Sequence, residues 1–244
     1  MNNVFVLLFL IGVSAFASSK TEGEETSQAR RKSTHERVQL WKNGPCWATT
    51  NIGAERPEDY GYYFWWGDTV GYKRKNRKWV ASDGSSSNFS FCEGNAPTVE
   101  YNISMLRSEG FISSEGVLAL EYDAARVHWG EDWSVPTIDE LRDLDRKCEW
   151  THTEKEGVCG YVVRGRGDYS SYSIFLPCAG YGELGSFSGL GVDFWYWSSS
   201  PSREADYSLF FRNNGPILGE RGLERGKIGR YYGATIRPVS RTLL

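Results

Sequence analysis

The segment PTIDELRDLDRKCE, residues 136–149, carries the clearest helix pattern in the chain. Thr137 and Glu140 form a T-x-x-E capping box, in which each side chain accepts a hydrogen bond from a backbone N–H of the first turn. The apolar residues that follow recur at helical spacing on one face: Leu141, Leu144 and Cys148. The sequence therefore predicts an amphipathic helix over Thr137–Glu149 that packs on the core through this face.

The pattern changes on both sides of this helix. Upstream, a shorter helix is predicted over Tyr122–Trp129, and another over Ile103–Glu109 lies within a loop-rich insertion at 68–120. Apolar and aromatic runs bounded by turn residues predict short strands at 47–54, 60–68, 160–165, 173–182, 194–200, 207–212 and 233–240. Early helices followed by a run of antiparallel strands are typical of an α+β domain.

The N-terminus has the pattern of an export signal. The apolar run VFVLLFLIGV at 4–13 is too short to span a bilayer, and the A-x-A pattern at 15–17 predicts cleavage after Ala17. The sequence therefore predicts a signal peptide at 1–17, a disordered polar linker at 18–37 and a folded domain at 38–241. A secreted or cell-surface protein is expected, with no transmembrane segment in the mature chain.

Composition argues against nucleic-acid binding and favours a strand-rich fold. The 31 acidic and 28 basic residues leave a net charge of −3, so the chain has no excess of positive charge for binding nucleic acid. The 10 Trp, 14 Tyr and 12 Phe against 2 Met favour strands with aromatic packing.

Motifs for metal sites and hydrolytic catalysis are missing from the sequence. The three histidines are far apart, and no H-x-H, HExxH or C-x-x-C pattern accompanies them. No cofactor or metal is therefore predicted. The five cysteines are Cys46, Cys92, Cys148, Cys159 and Cys178. An odd count leaves at least one thiol unpaired in a monomer, and both disulfides and buried free thiols remain open.

The C-terminal quarter carries the best candidate for a binding surface. Tyr196 alternates with two tryptophans along a predicted strand, so it points to the opposite face. A polar, locally basic loop at 219–230 then precedes a Tyr-Tyr pair, and its composition fits either a binding surface or an ordinary solvated loop. Tyr, Arg and Asn combine rigid contact area with directional hydrogen bonds. The predicted ligand-binding residues are Tyr196, Arg212, Asn213, Asn214, Arg221, Arg225, Tyr231 and Tyr232.

An ordered series of motifs resembles one family. It comprises CWATTNIGA (46–54), YGYYFWWGD (60–68), YDAARVHWGEDWSVPTIDEL (122–141), CEWT (148–151), GYVV (160–163), SIFLPCAGY (173–181), WYWSSS (195–200) and RYYGATIRPV (230–239). The series is similar to the Fibrobacter succinogenes major paralogous domain (FISUMP) family. GEDWSVPT stands where GGxWRMPT is common in that family.

The resemblance implies a C-type-lectin-like domain, with two helices on short antiparallel sheets and long loops. The resemblance gives no reaction, and the role that we expect is recognition of a glycan or an extracellular protein without catalysis. An enzyme of the formylglycine-generating type and a structural or adhesive surface component are the alternatives. The calcium-binding triplets of C-type lectins are absent from the sequence. Calcium is therefore not expected at the ligand surface.

Overall fold

Short strands and short helices make up the described part of the chain. The computed structural model describes residues 35–85, 89–203, 207–212 and 224–242. The helices are α1 (Ile103–Ser108), α2 (Ala124–Trp129) and α3 (Ile138–Lys147). The strands are β1 (Arg37–Gln39), β2 (Cys46–Ala48), β3 (Tyr72–Lys75), β4 (Lys78–Ala81), β5 (Glu149–Lys155), β6 (Val158–Arg164), β7 (Ser173–Pro177), β8 (Tyr181–Glu183), β9 (Ser186–Ser188), β10 (Trp195–Pro201), β11 (Tyr207–Arg212), β12 (Glu224–Gly229) and β13 (Val239–Ser240).

The strands pair in small antiparallel sheets. Their orders are β1-β2-β13, β10-β11-β12, β5-β6-β7, β3-β4 and β8-β9. This mixed structure, with few helices and small antiparallel sheets, is compatible with the predicted α+β class. Within the described ranges, no helix is both long enough and apolar enough to cross a membrane.

The helix α3 begins as its capping box predicts. The Thr137 hydroxyl accepts the Glu140 N–H at 3.2 Å, and a Glu140 carboxylate oxygen accepts the Thr137 N–H at 2.8 Å. The predicted apolar face, Leu141, Leu144 and Cys148, is buried. The predicted end at Glu149 is wrong, because the extended backbone at Cys148 ends the helix and Glu149 pairs with Arg164 in the ladder between β5 and β6.

The two shorter helices lie close to their predicted positions. The predicted helix over Ile103–Glu109 ends one residue earlier, at Ser108. The helix predicted from Tyr122 starts two residues later, because the Asp123 side chain is its N-cap and accepts the Arg126 N–H at 3.1 Å.

The closing segment 233–240 is not one strand, as predicted, but a strap across several sheets. Ala234 bridges to Phe64, Thr235 bridges to Tyr196, and only Val239–Ser240 extends a sheet, beside β2. Pro238 has no N–H to donate, so a continuous ladder is interrupted there.

The segment 68–120, predicted to be a loop-rich insertion, contains a β-hairpin that the sequence analysis does not predict. The strands β3 and β4 are joined by Asn76 and Arg77, whose φ angles of 50° and 64° are both positive. Two consecutive residues with positive φ match the hairpin turn that suits the twist of paired strands. The hairpin contributes Trp79 to an aromatic cluster with Tyr63, Tyr72 and Phe91.

Candidate functional site

Tyr231 and Tyr232 lie side by side in the turn after β12. Their ring centroids are 4.4 Å apart with an angle of 27° between the planes, and both side chains are half-buried. A Cβ on Gly229 would lie 2.6 Å from the Tyr231 ring, so a side chain at this position would clash with the ring. Both tyrosines are therefore partly accessible, and Tyr232 also packs against the hydrophobic core.

The strand β8 extends this aromatic surface. The Tyr181 ring on β8 meets Tyr232 edge-on at 5.6 Å and lies 4.0 Å from the Trp195 ring. The Tyr232 hydroxyl donates a hydrogen bond to Glu183 Oε1 at 3.2 Å. We call Tyr181, Glu183, Tyr231 and Tyr232 the tyrosine ledge.

The ledge places phenol hydroxyls beside the side-chain carboxyl group of Glu183. Burial raises the pKa of Tyr232, and the neighbouring Tyr231 and Glu183 raise it further. The Tyr232 hydroxyl therefore keeps its proton and remains a hydrogen-bond donor. Aromatic faces next to a carboxylate suit a ligand that has both apolar faces and hydroxyl groups.

Tyr196 is not part of an exposed surface, contrary to the sequence prediction. It is 1% exposed, and its hydroxyl lies 3.3 Å from Asn51 Nδ2. The alternation along β10 does place Tyr196 opposite Trp195 and Trp197, but all three side chains are buried. Both faces of β10 contribute to the core, so neither presents Tyr196 to a ligand.

The remaining predicted residues fall in and around β11 and β12. Arg212 pairs with Trp195 and Glu224, and Arg225 pairs with Phe211, through the backbone. The prediction of a loop at 219–230 is therefore wrong for Glu224–Gly229, which pairs with β11 along its length. Asn213, Asn214 and Arg221 lie outside the described residues.

A cleft of about 490 Å³ lies between the β1-β2 strands and the β5-β6-β7 sheet. Hydroxyl, charged and apolar side chains line it together: Glu36, Val38, Thr49, Pro57, Thr153, Glu154, Lys155, Val162, Ser173, Ile174 and Phe175. Its volume falls in the range of small-molecule sites. Its walls come from two segments, 36–57 and 153–175, that are 96 positions apart at their nearest, so no local motif could have revealed it. The only weak signal was the hydroxyl-rich strand THTEK at 151–155.

One wall of the cleft is closed by an ion pair over an aromatic ring. Lys155 Nζ lies 3.1 Å from Glu58 Oε2 and 5.9 Å from the centroid of the Phe175 ring. The hydrogen bond from Lys155 holds the pKa of Glu58 below its ordinary value. Phe175 covers Gly160, where a Cβ would lie 2.4 Å from the ring. The Lys155 ammonium group is therefore paired with the Glu58 carboxylate.

The groups with strongly shifted pKa values do not line the cleft. Burial raises the pKa of Cys148 and Cys178 to about 12, so both are protonated at neutral pH. His128 Nε2 lies 2.8 Å from the Thr69 carbonyl oxygen, and burial lowers the pKa of this imidazole. Among the residues that the structure describes, no cluster of three His, Cys, Asp or Glu side chains could hold a metal ion.

Asp68 should make stability depend on pH. Burial raises its pKa from 3.8 to about 6, although the Val70 and Gly71 N–H groups donate to the carboxylate. The unfolded chain loses this proton near pH 4 and the folded chain near pH 6, so the contribution of Asp68 to stability falls between these values, by about 3 kcal/mol in full. We expect the wild type to lose stability relative to Asp68→Asn as the pH rises from 4 to 6. The difference in unfolding free energy should level off above pH 6. A constant difference across this range would contradict the shift.

No protein-family model, curated protein or solved structure matches the chain.

Proposed function

We propose that this protein is an exported recognition protein that binds a glycan at the tyrosine ledge and the adjoining C-terminal segment, without catalysis. The observation that carries the proposal is the stacked Tyr231–Tyr232 pair, with Glu183 accepting from one of its hydroxyls. The apolar face of a sugar ring stacks on aromatic rings, while sugar hydroxyls donate to a carboxylate and exchange hydrogen bonds with phenols. The ledge combines these groups, and one of its rings, that of Tyr181, is packed against Trp195.

We further propose a C-type-lectin-like fold of the FISUMP family. The motifs that suggest the family have structural roles in this chain: the PT of the W-x-x-PT-x-x-EL block precedes and caps α3, IFLP lies in β7, and the closing RPV contains the buried Arg237. Burial keeps Cys148 and Cys178 protonated at neutral pH, so neither of these two is a ready nucleophile for thiol-dependent catalysis.

Binding can be tested with the secreted chain on a glycan array and a panel of surface proteins. We expect glycan binding, and Tyr232→Ala should weaken it about tenfold or more, because loss of a packed aromatic anchor commonly costs over 1.4 kcal/mol. Tyr172→Ala is the matched control, since Tyr172 is an exposed tyrosine outside the ledge. Circular dichroism should show that both variants are folded.

Three results would revise the proposal. Unchanged affinity in folded Tyr232→Ala would remove the ledge from the binding site. Loss of binding in Thr153→Arg, which puts a long side chain into the cleft, with full binding by Tyr232→Ala, would move the site to the cleft. Binding to surface proteins alone would replace the glycan with a protein ligand. Binding should persist in a metal chelator, because the sequence lacks the carboxylate-rich triplets of calcium-dependent lectins.

Export has its own test. The apolar run at 4–13 and the A-x-A pattern support cleavage between Ala17 and Ser18, although these residues lie outside the described ranges. The intact mass of the protein collected outside the cells should equal that of residues 18–244. A chain that retains Met1 would contradict export by this signal.

A further inference from the structure

Cys159, on β6, lies opposite Cys178, the residue that follows β7. The register of β6 and β7 pairs Gly160 with Pro177, so the next position outward brings the two cysteines together. The Cys178 N–H donates to the Cys159 carbonyl oxygen at 2.8 Å, which extends the pairing by one residue. Side chains at directly opposite positions of an antiparallel pair point to the same face.

The backbone spacing suits a disulfide. Opposite residues at a hydrogen-bonded position have Cα atoms about 5.5 Å apart, and disulfides join Cα atoms about 4.4 to 6.8 Å apart. Burial raises the pKa of the Tyr60 phenol, and electrostatic interaction with Cys178 and Cys159 raises it further, so the phenol lies within electrostatic range of both thiols. By contrast, Cys46 faces Gln39 and Ser240 in its sheet.

We propose that Cys159 and Cys178 are a redox pair that closes to an intrachain disulfide by exchange with a small-molecule disulfide such as oxidised glutathione. Both residues are free thiols in the structure. This proposal is independent of glycan binding.

The exchange balances in two steps. The half-buried Cys159, as its thiolate, attacks one sulfur of oxidised glutathione. The glutathione disulfide bond breaks, one glutathione leaves as its thiolate and takes up a proton, and a mixed disulfide remains on Cys159. The Cys178 thiolate then attacks the Cys159 sulfur and releases the second glutathione. Two protein thiols are oxidised, and one glutathione disulfide is reduced to two thiols.

The second step should set the rate. Cys178 is buried, and burial raises its pKa to about 12, so only a small fraction is thiolate at neutral pH. As long as the pH is below the pKa, the fraction of thiolate rises about tenfold for each unit by which the pH increases. Closure should therefore accelerate strongly between pH 7 and pH 9.

The test uses the full chain in oxidised glutathione at pH 8, followed by acid quench, alkylation of remaining thiols and tryptic peptide mapping. We expect a linked pair of peptides, 156–164 and 167–203, with a mass two hydrogens below the sum of the reduced peptides. Cys92→Ser, which removes another half-buried thiol, should form the same link. Cys159→Ser should lose it.

The disulfide should also raise the thermal midpoint, since it restrains the 18 residues between the two cysteines in the unfolded chain. This rise should occur in Cys92→Ser and disappear in Cys159→Ser, provided that circular dichroism shows both variants folded. The proposal is overturned if both cysteines are alkylated after saturating oxidation, if Cys159 stops at the glutathione adduct, or if either cysteine joins a different partner.

Discussion

Replacing Arg237 by Met is expected to lower the free energy of unfolding by about 3 to 5 kcal/mol, as losses of buried hydrogen-bonded charges do. Arg237 is 1% exposed, and its guanidinium donates to four oxygens: Asn51 Oδ1 at 2.8 Å, the Ala48 and Thr49 carbonyls at 3.1 Å, and the Phe175 carbonyl at 2.9 Å. None of these acceptors is a carboxylate. Burial lowers the pKa of Arg237, and the surrounding carbonyl dipoles stabilise its charge.

The reason for the large effect is that one side chain connects three parts of the fold. Asn51 follows β2, Phe175 lies in β7, and Arg237 itself belongs to the closing strap. Methionine fills a similar volume but leaves the acceptors without donors, and each buried unsatisfied group costs about 1 to 3 kcal/mol.

Two further variants distinguish this role from simple loss of charge. Arg237→Lys keeps the charge but lacks the planar set of donors, so it should also destabilise strongly. Arg164→Met is the matched control, because Arg164 is exposed and donates to a single carbonyl, that of Ser170. Denaturant unfolding should show a change of about 0.5 kcal/mol or less for this control. A similarly small loss in Arg237→Met would mean that water replaces the arginine.

Features encoded within a few residues were the ones that the sequence predicted well. The cap and apolar face of α3 follow from Thr137, Glu140 and the spacing of two leucines, all within eight residues. The strand β10 was likewise evident from its aromatic alternation. That alternation could not show whether either face is exposed, which explains the error at Tyr196. Exposure depends on what packs above the strand, and this is decided by distant segments.

The missed features have physical reasons of the same kind. The hairpin Tyr72–Ala81 reads YKRKNRKWVA, and its charged residues hide the alternation that predicts strands. The cleft brings Thr49 to Thr153, and no spacing rule connects residues 104 positions apart. The tyrosine ledge was half predicted: Tyr231 and Tyr232 stood out, whereas Tyr181 and Glu183 join them only through the tertiary fold.

The second large effect is expected at Leu144, the central residue of the apolar face of α3. Its side chain is fully buried in a cluster with Leu40, Trp47, Val163 and Tyr196. Leu144→Ala removes the contacts of three carbon atoms and leaves a cavity that neighbouring aromatic rings cannot easily fill. Comparable substitutions cost about 2 to 5 kcal/mol, and we expect a loss in this range by denaturant unfolding.

Leu120→Ala provides the matched control for Leu144→Ala, because it makes the same chemical change at a side chain that is 61% exposed. Its cost should stay within about 0.5 kcal/mol. The slope of unfolding free energy against denaturant should be unchanged in both variants, since neither alters the area exposed on unfolding by much. Equal costs at the two leucines would show that α3 does not pack through its predicted face. A large cost at Leu144 alone would show that this helix, capped by local sequence, contributes stability through contacts with strands that lie far from it in the chain.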